Sequence, residues 1–291
     1  MSIRVKKLTL FKYQTMIETQ IKPLLGKRNI NDFTSSELNQ FICQKIDSGE
    51  LNQKGGLSPS YVKTMTIIIN SALKYAMQEN LMPHETIKIS NPIVSKKELE
   101  ILNAFDQEKL ESYLHMNLNV SNLSIFLSLY AGLRIGEVCA LRWKDIDLDH
   151  HVLKIRNSVL RVSSTEGSYL MIDDPKTNSS IREIPIVPSL LTLLTNYQNE
   201  DDTFVLSGTN QFIKPRTIEY QFKQILKKSG LKSLNYHALR HTFATNCIQA
   251  GVDAKSLSEI LGHSNVSVTL NIYVHSSMDI KKEQLKKIER K

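Results

Sequence analysis

The sequence predicts a mainly α protein with a small antiparallel β-sheet in its second half, an α+β architecture in two domains. Two observations carry this. Apolar residues recur at helical spacing between helix caps over residues 1–95, and again toward the C-terminus. Between Val152 and Val187 the pattern changes to short alternating runs flanked by turn formers, as in strands. A chain of 291 residues has room for two domains at roughly 100–200 residues each. The break falls at Asn91-Pro92 and Lys96-Lys97, giving a helical domain over 1–95 and a second domain over 96–291.

Taken in order, Phe11, Tyr13, Ile17, Ile21 and Leu24 predict a first helix from Leu8 to Leu25, stopped by Gly26. Thr34-Ser35-Ser36-Glu37 has the spacing of a capping box, in which hydroxyl and carboxylate satisfy free N–H groups at a helix start. The helix it opens carries Leu38, Phe41, Ile42 and Ile46 and stops near Gly49. Ser58-Pro59 supplies an N-cap with proline at the first helical position, ahead of Val62, Met65, Ile68, Ile69, Ala72, Leu73 and Ala76. In the second domain a short helix opens at Asp106. A more apolar one, with Leu123, Phe126, Leu129 and Tyr130, runs into Gly132-Leu133-Arg134. Strands are expected at Val152–Ile155, Tyr169–Ile172 and Arg182–Ile186. The turn-rich stretch Asp174–Ser179 would place Lys176 in a hairpin between the last two. Helices resume at Pro188 and Pro215, and after Tyr236 come short helices broken at Gly251, Gly262 and about Ser276.

Composition bounds the function classes. Hydrophobic residues make 41% and charged residues 23%, as in ordinary globular proteins. The formal charge of +8 favours a polyanionic partner, though only modestly. Cys43, Cys139 and Cys247 are far apart with no CxxC, so neither a zinc knuckle nor a disulfide framework is indicated, and a cytoplasmic, reduced protein is expected. No apolar run approaches the ~20 residues that span a bilayer, and the N-terminus lacks a secretory pattern.

The candidate chemistry centres on Asn235-Tyr236-His237-Ala238-Leu239-Arg240, where His237 and Arg240 share one helix face at i and i+3. Cutting a phosphodiester without a metal requires charge stabilisation at the non-bridging oxygens, a nucleophile and an acid for the leaving oxygen. Arginine forks give bidentate, charge-assisted hydrogen bonds and stay protonated, so Arg134 and Arg240 suit the first task. Tyr273 suits the second once a cationic pocket or a base activates it, and Lys176 suits the third. His237 and His263 can orient or donate. No carboxylate cluster with metal-ligand spacing is evident. Taken singly, each residue has a plainer reading. Arg134 can bond helix-end carbonyls, Lys176 can be a solvated turn lysine, and Tyr273 can be a core aromatic. His263 can be an exposed residue after a helix-ending glycine.

Order and spacing together decide differently. AGLRIGEVCALRWKDID, DPKTNSSIREIPI, NYHALRHTFAT and LGHSNVSVTLNIYVH, in that sequence, resemble the tyrosine recombinases, also called the phage-integrase family. The resemblance covers nearly the whole second domain, and less specifically the N-terminal helices, which look like the family's core-binding domain. It implies that Arg134 and Arg240 are the catalytic arginines, Lys176 the hairpin lysine, His237 and His263 the active-site histidines and Tyr273 the nucleophile. Glu137 would support Arg134 from behind. It further implies a 3′-phosphotyrosyl intermediate on duplex DNA, with neither ATP nor metal nor other cofactor. Two domains would form a C-shaped DNA clamp, four protomers would act in synapsis, and accessory DNA-bending proteins can take part. The start of the chain resembles short two-domain Xer-like members, while the sequence style is similar to mobile-element integrases. The tail Ile280–Lys291 is expected to be a helix, either solvated or docked on a neighbouring protomer. A type IB topoisomerase shares the constellation but would act as a monomer without a defined site. A DNA-binding regulator would keep the fold without the chemistry.

Overall fold

The computed structural model describes residues 7–48, 55–83, 87–95, 99–164, 167–173 and 181–273. Lys96-Lys97, Lys176 and the tail Ile280–Lys291 lie outside the described residues. The chain divides into two compact units, Met1–Lys97 with Val162–Tyr169, and Glu98–Arg161 with Leu170–Lys291.

The first unit is helical. The run expected from Leu8 to Leu25 forms, but in three pieces: α1 (Lys7–Met16), a π-helical turn (Ile17–Ile21) and α2 (Lys22–Leu25). Pro23 explains the interruption. It has no N–H to give to the preceding turn, and the chain widens to a five-residue bond, Lys22 N to Ile17 O, just before it. In α3 (Ser35–Ser48) the capping box is made: Glu37 N donates to Thr34 Oγ1 and Thr34 N donates to Glu37 Oε2, both at 3.2 Å. In α4 (Pro59–Gln78) the Tyr61 N–H donates to Ser58 Oγ. Met16, Leu38, Phe41, Val62, Met65, Ile69 and Leu73 form the unit's own core.

The second unit is built round a central helix. Here α5 (Ala104–Met116) precedes α6 (Val120–Ala131), which is apolar on nearly every side. Around α6 stand α7 (Ile135–Ala140), α8 (Pro188–Tyr197), α9 (Pro215–Lys228) and α10 (His237–Gln249). The chain closes with α11 (Ala254–Leu261) and α12 (Val266–Tyr273). Phe126, Leu127, Leu133, Val138, Leu153, Leu194, Phe222 and Leu239 belong to one core.

Among the described residues there are five strands, two more than expected. β1 (Ile146–Asp147), β2 (Val152–Ile155) and β5 (Arg182–Pro185) make one antiparallel sheet, and β3 (Ser158–Ser164) pairs with β4 (Gly167–Asp173) in another. This corrects the expected hairpin. Among the described residues β5 pairs with β2, Ile155 opposite Arg182, and β4 pairs with β3. The connection carrying Lys176 therefore joins strands of different sheets. In β5 the two-residue alternation turns Arg182 and Ile184 inward and Glu183 and Pro185 outward, so an arginine occupies a core-facing position.

Candidate active site

Three segments of the second unit converge. The first is the α6–α7 turn. Gly132 takes φ +65°, the left-handed conformation that closes α6, and a Cβ there would meet the Phe243 ring at 2.6 Å. That sharp turn sets Arg134 at the N-cap of α7, its side chain about 39% exposed. Arg134 N donates to Glu137 Oε2 at 2.8 Å and its Nη1 donates to Glu137 Oε1 at 2.9 Å.

The second segment is α10. Asn235 Oδ1 accepts from Ala238 N at the helix start. Tyr236 ties that start to α6, accepting from Ser128 Oγ and donating to the Ser124 carbonyl. One turn on, Arg240 is 1% exposed, and its Nη1 and Nη2 donate to the Gly132 and Leu261 carbonyls, each at 2.7 Å. The third segment is the α11–α12 turn. Gly262 at φ +64° ends α11, with His263 N donating back to Ser258 O, which brings His263 out toward the arginines. The Gly262 carbonyl accepts from Arg134 Nη2 at 3.3 Å. The two arginines thus hold successive carbonyls of one helix end.

Tyr273, at the end of α12, is 7% exposed and packs with Ala244, Leu257 and Leu261. Its hydroxyl lies 2.7 Å from His241 Nδ1. The His263 ring stacks parallel to it, centroids 6.4 Å apart, and His263 Nδ1 meets Thr269 Oγ1 at 2.9 Å. His237 meets His241 edge-on at 4.6 Å. Arg134, Glu137, His237, Arg240, His263 and Tyr273 are therefore gathered in one place.

The structure adds two residues that were not singled out. Arg182, from β5, forks onto Glu137 at 3.0 and 2.8 Å and donates through Nε to Ile260 O at 2.6 Å. His241 bonds the tyrosine. A signal existed for each. The strand alternation that turns Ile184 inward turns Arg182 inward too, and a charge on a core face requires a partner. His241 stands four residues after His237, on the same helix face.

The cluster holds three guanidinium groups, two of them bonded to its one carboxylate, so it is cationic. Burial would raise the Glu137 pKa, but the Arg182 fork, then Arg134, reverse this and hold it at about 2. His263 is lowered to about 4, by burial and then by Arg240 and Arg134. His237, though an exposed residue, is also lowered to about 4, by desolvation and then by His241, Arg240 and Arg134. Both are neutral at pH 7. Burial, followed by Arg134, brings Arg240 down to about 9, still protonated at neutral pH. Burial raises Tyr273 while Arg240 and Arg134 pull it back. A surplus of fixed positive charge, backed by neutral imidazoles, is what an anion such as a phosphate would balance. Among the described residues no group of three or more His, Cys, Asp or Glu is placed to hold a metal ion.

Residues 93–279 match the model of the phage integrase family. The chain belongs to that family. Similar members include a "Tyrosine recombinase XerC-like" protein of Caldanaerobacter subterraneus subsp. tengcongensis, 29% identical over 76% of this chain. The transposase from transposon Tn916 of Enterococcus faecalis is 26% identical over 92% of it. This chain spans 63% and 70% of those two proteins' own lengths. Among solved structures, the Tn1549 transposon integrase in complex with a circular intermediate DNA matches with TM-score 0.77 and 24% identity, over 98% of this chain and 95% of that one. A lambda integrase dimer bound to a core site matches with TM-score 0.65 and 19% identity, over 95% and 92%. The phage-integrase fold, mostly helical with small antiparallel sheets, is thus shared along almost the entire chain. Among the described residues no helix is long and apolar enough to cross a membrane.

Proposed function

We propose that this integrase-family chain is a site-specific DNA recombinase that cuts and rejoins duplex DNA through a 3′-phosphotyrosyl intermediate and exchanges strands between two sites. One observation carries the reading: Arg240 bonds both the Gly132 and Leu261 carbonyls, and so ties the three segments that bear Arg134, His263 and Tyr273 into one cationic pocket. Arg134 and Arg240 bind the non-bridging oxygens of the scissile phosphate. Tyr273 attacks phosphorus, Lys176 protonates the departing 5′-oxygen, and His237 and His263 donate to the phosphate. Glu137 keeps Arg134 aimed. The bond energy remains in the phosphotyrosine, so neither ATP nor metal takes part. A 5′-hydroxyl of the partner duplex then reverses the step.

In this reading residues 1–95 are the core-binding domain and 96–291 the catalytic domain, working on DNA in the cytoplasm. The names of the similar proteins support DNA as the partner: the Tn1549 integrase was solved on a circular intermediate, and a lambda integrase tetramer on a Holliday junction. In the same reading this chain acts as a tetramer in synapsis, with most affinity coming from phosphates and falling steeply with salt.

The test is covalent trapping. Protein is mixed, with EDTA present, with nicked duplexes that lose the 5′-hydroxyl fragment on cleavage, and run on a denaturing gel beside Tyr273→Phe. A protein–DNA adduct that disappears in the variant is expected. DNA that binds yet yields no adduct would reassign the chain to a non-cutting DNA-binding protein.

A further inference from the structure

The contact between His241 and Tyr273 is not used by the mechanism above. We infer that His241 is the base that takes the proton of Tyr273 as the tyrosine attacks; this rests on Tyr273 being the nucleophile. His241 is then a catalytic residue, because it touches the reacting oxygen.

Three observations support the assignment. The separation of 2.7 Å is that of a short hydrogen bond, and among the described residues His241 is the hydroxyl's hydrogen-bond partner. The competing imidazoles are placed otherwise. His263 stacks parallel to the tyrosine ring and has its Nδ1 engaged by Thr269, while His237 meets His241 and not the tyrosine. Finally, the base is rigidly mounted. It follows Arg240, whose two carbonyl bonds fix that turn of α10, and it faces a tyrosine that is almost fully enclosed.

Protonation states agree with the geometry. Burial, then Arg240, lowers the pKa of His241, so the ring is neutral at pH 7 and has a lone pair to offer. With Nε2 carrying its proton, Nδ1 is the acceptor. Burial raises the Tyr273 pKa, so phenolate formed in advance is scarce, and a base acting in step with attack is the effective arrangement. Balanced, the step is this. The Oη–H bond breaks and its proton goes to Nδ1. Its electron pair stays on Oη and forms the Oη–P bond. The P–O5′ bond breaks, its pair leaves on the 5′-oxygen, and that oxygen takes a proton from Lys176. On rejoining, the imidazolium returns its proton to Oη.

The experiment is single-turnover adduct formation on the nicked duplex, from pH 5.5 to 9, for wild type, His241→Gln and His241→Ala. Glutamine can still accept the tyrosine's hydrogen bond but cannot carry off the proton. His241→Gln is expected to lose about 10²-fold or more in rate. DNA affinity by gel shift should stay within about twofold, which shows that the variant is folded. Among the described residues the other titratable or charged groups around the pair are His237 and Arg240 on α10, Arg134 and His263. A His237→Gln control, which leaves the His241–Tyr273 contact in place, therefore separates the acid limbs. The limb assigned to His241 should vanish in both His241 variants and remain in that control. Added imidazole should restore His241→Ala at least fivefold, following the neutral form. His241→Gln at the wild-type rate and pH profile, with no imidazole response in His241→Ala, overturns the role of His241 and leaves Tyr273 as nucleophile. A wild type that binds the DNA and gives no adduct overturns both.

Discussion

Arg240 and Arg134 sit in the same pocket but are held by opposite means. Arg240 is buried and both its terminal nitrogens donate to backbone carbonyls, from Gly132 and Leu261. Arg134 is part exposed and leans on the Glu137 carboxylate, which Arg182 grips from the other side. A carbonyl fixes a guanidinium without neutralising it. A carboxylate fixes it and cancels charge, and here the second arginine gives the charge back. The pocket stays cationic by both routes, yet the first depends on the path of the backbone and the second on three side chains that can be exchanged as a set.

The largest effect on cleavage should follow from Arg240→Lys. A lysine brings one nitrogen where the fork reaches two carbonyls on different segments, so at least one buried carbonyl loses its partner. Cleavage should fall about 10³-fold, measured as single-turnover adduct formation. Stability should fall by about 1–3 kcal/mol in urea unfolding. No second side-chain change should restore it, because the partners are backbone.

The carboxylate-held half should behave otherwise. Arg182→Met leaves Glu137 buried with only Arg134, and should cost about 3–5 kcal/mol in the same unfolding assay. Adding Glu137→Gln should recover part of that loss, giving a coupling energy of at least about 1 kcal/mol in a double-mutant cycle. Strictly additive losses would mean that the carboxylate and Arg182 are independent, and the contrast with Arg240 would fail.

Acid should probe the same cluster. The Glu137 pKa is lower folded, about 2, than its ordinary 4.5, so its contribution is present above pH 4.5 and is lost as pH falls toward 2. At full extent this is about 3 kcal/mol. Urea midpoints should drop through that window in wild type and much less in Glu137→Gln. The lowered histidines give an earlier decline, between pH 6.5 and about 4, because the unfolded chain protonates them first.

The smallest effect should come from Gly262→Ala. The residue would be held at φ +64°, and its Cβ would meet the Arg182 guanidinium at 3.0–3.2 Å. A loss of about 1–2 kcal/mol is expected from the backbone conformation alone.

What was legible in the sequence was local. The Thr34–Glu37 box and the Ser58-Pro59 start depend on residues within one turn of each other, and both formed as expected. The π-turn before Pro23 was missed because periodicity shows that a helix runs on, not how it accommodates a missing N–H. Two strands were missed: Ile146–Asp147 is too short to alternate, and Ser158–Ser164 is too polar to stand out as a buried run. The partner of Arg182–Pro185 is set by chain topology and not by nearness along the chain. In the site, Arg134, His237, Arg240, His263 and Tyr273 could be selected from order and spacing. For Arg182 and His241 the alternation and the helix spacing are signals of position only, since one matters through burial and the other through a contact with a residue 32 positions away.

The end of α11 gives a further consequence. Its last two carbonyls, those of Leu261 and Gly262, are capped by the same guanidinium groups that face the pocket. Any anion that draws on those groups changes how firmly that helix end is closed. Amide hydrogen exchange over residues 258–263 therefore gauges occupancy of the pocket from behind, in a protein that has cut nothing. The same coupling makes Tyr273→Phe, which touches neither carbonyl, the quieter way to silence the site.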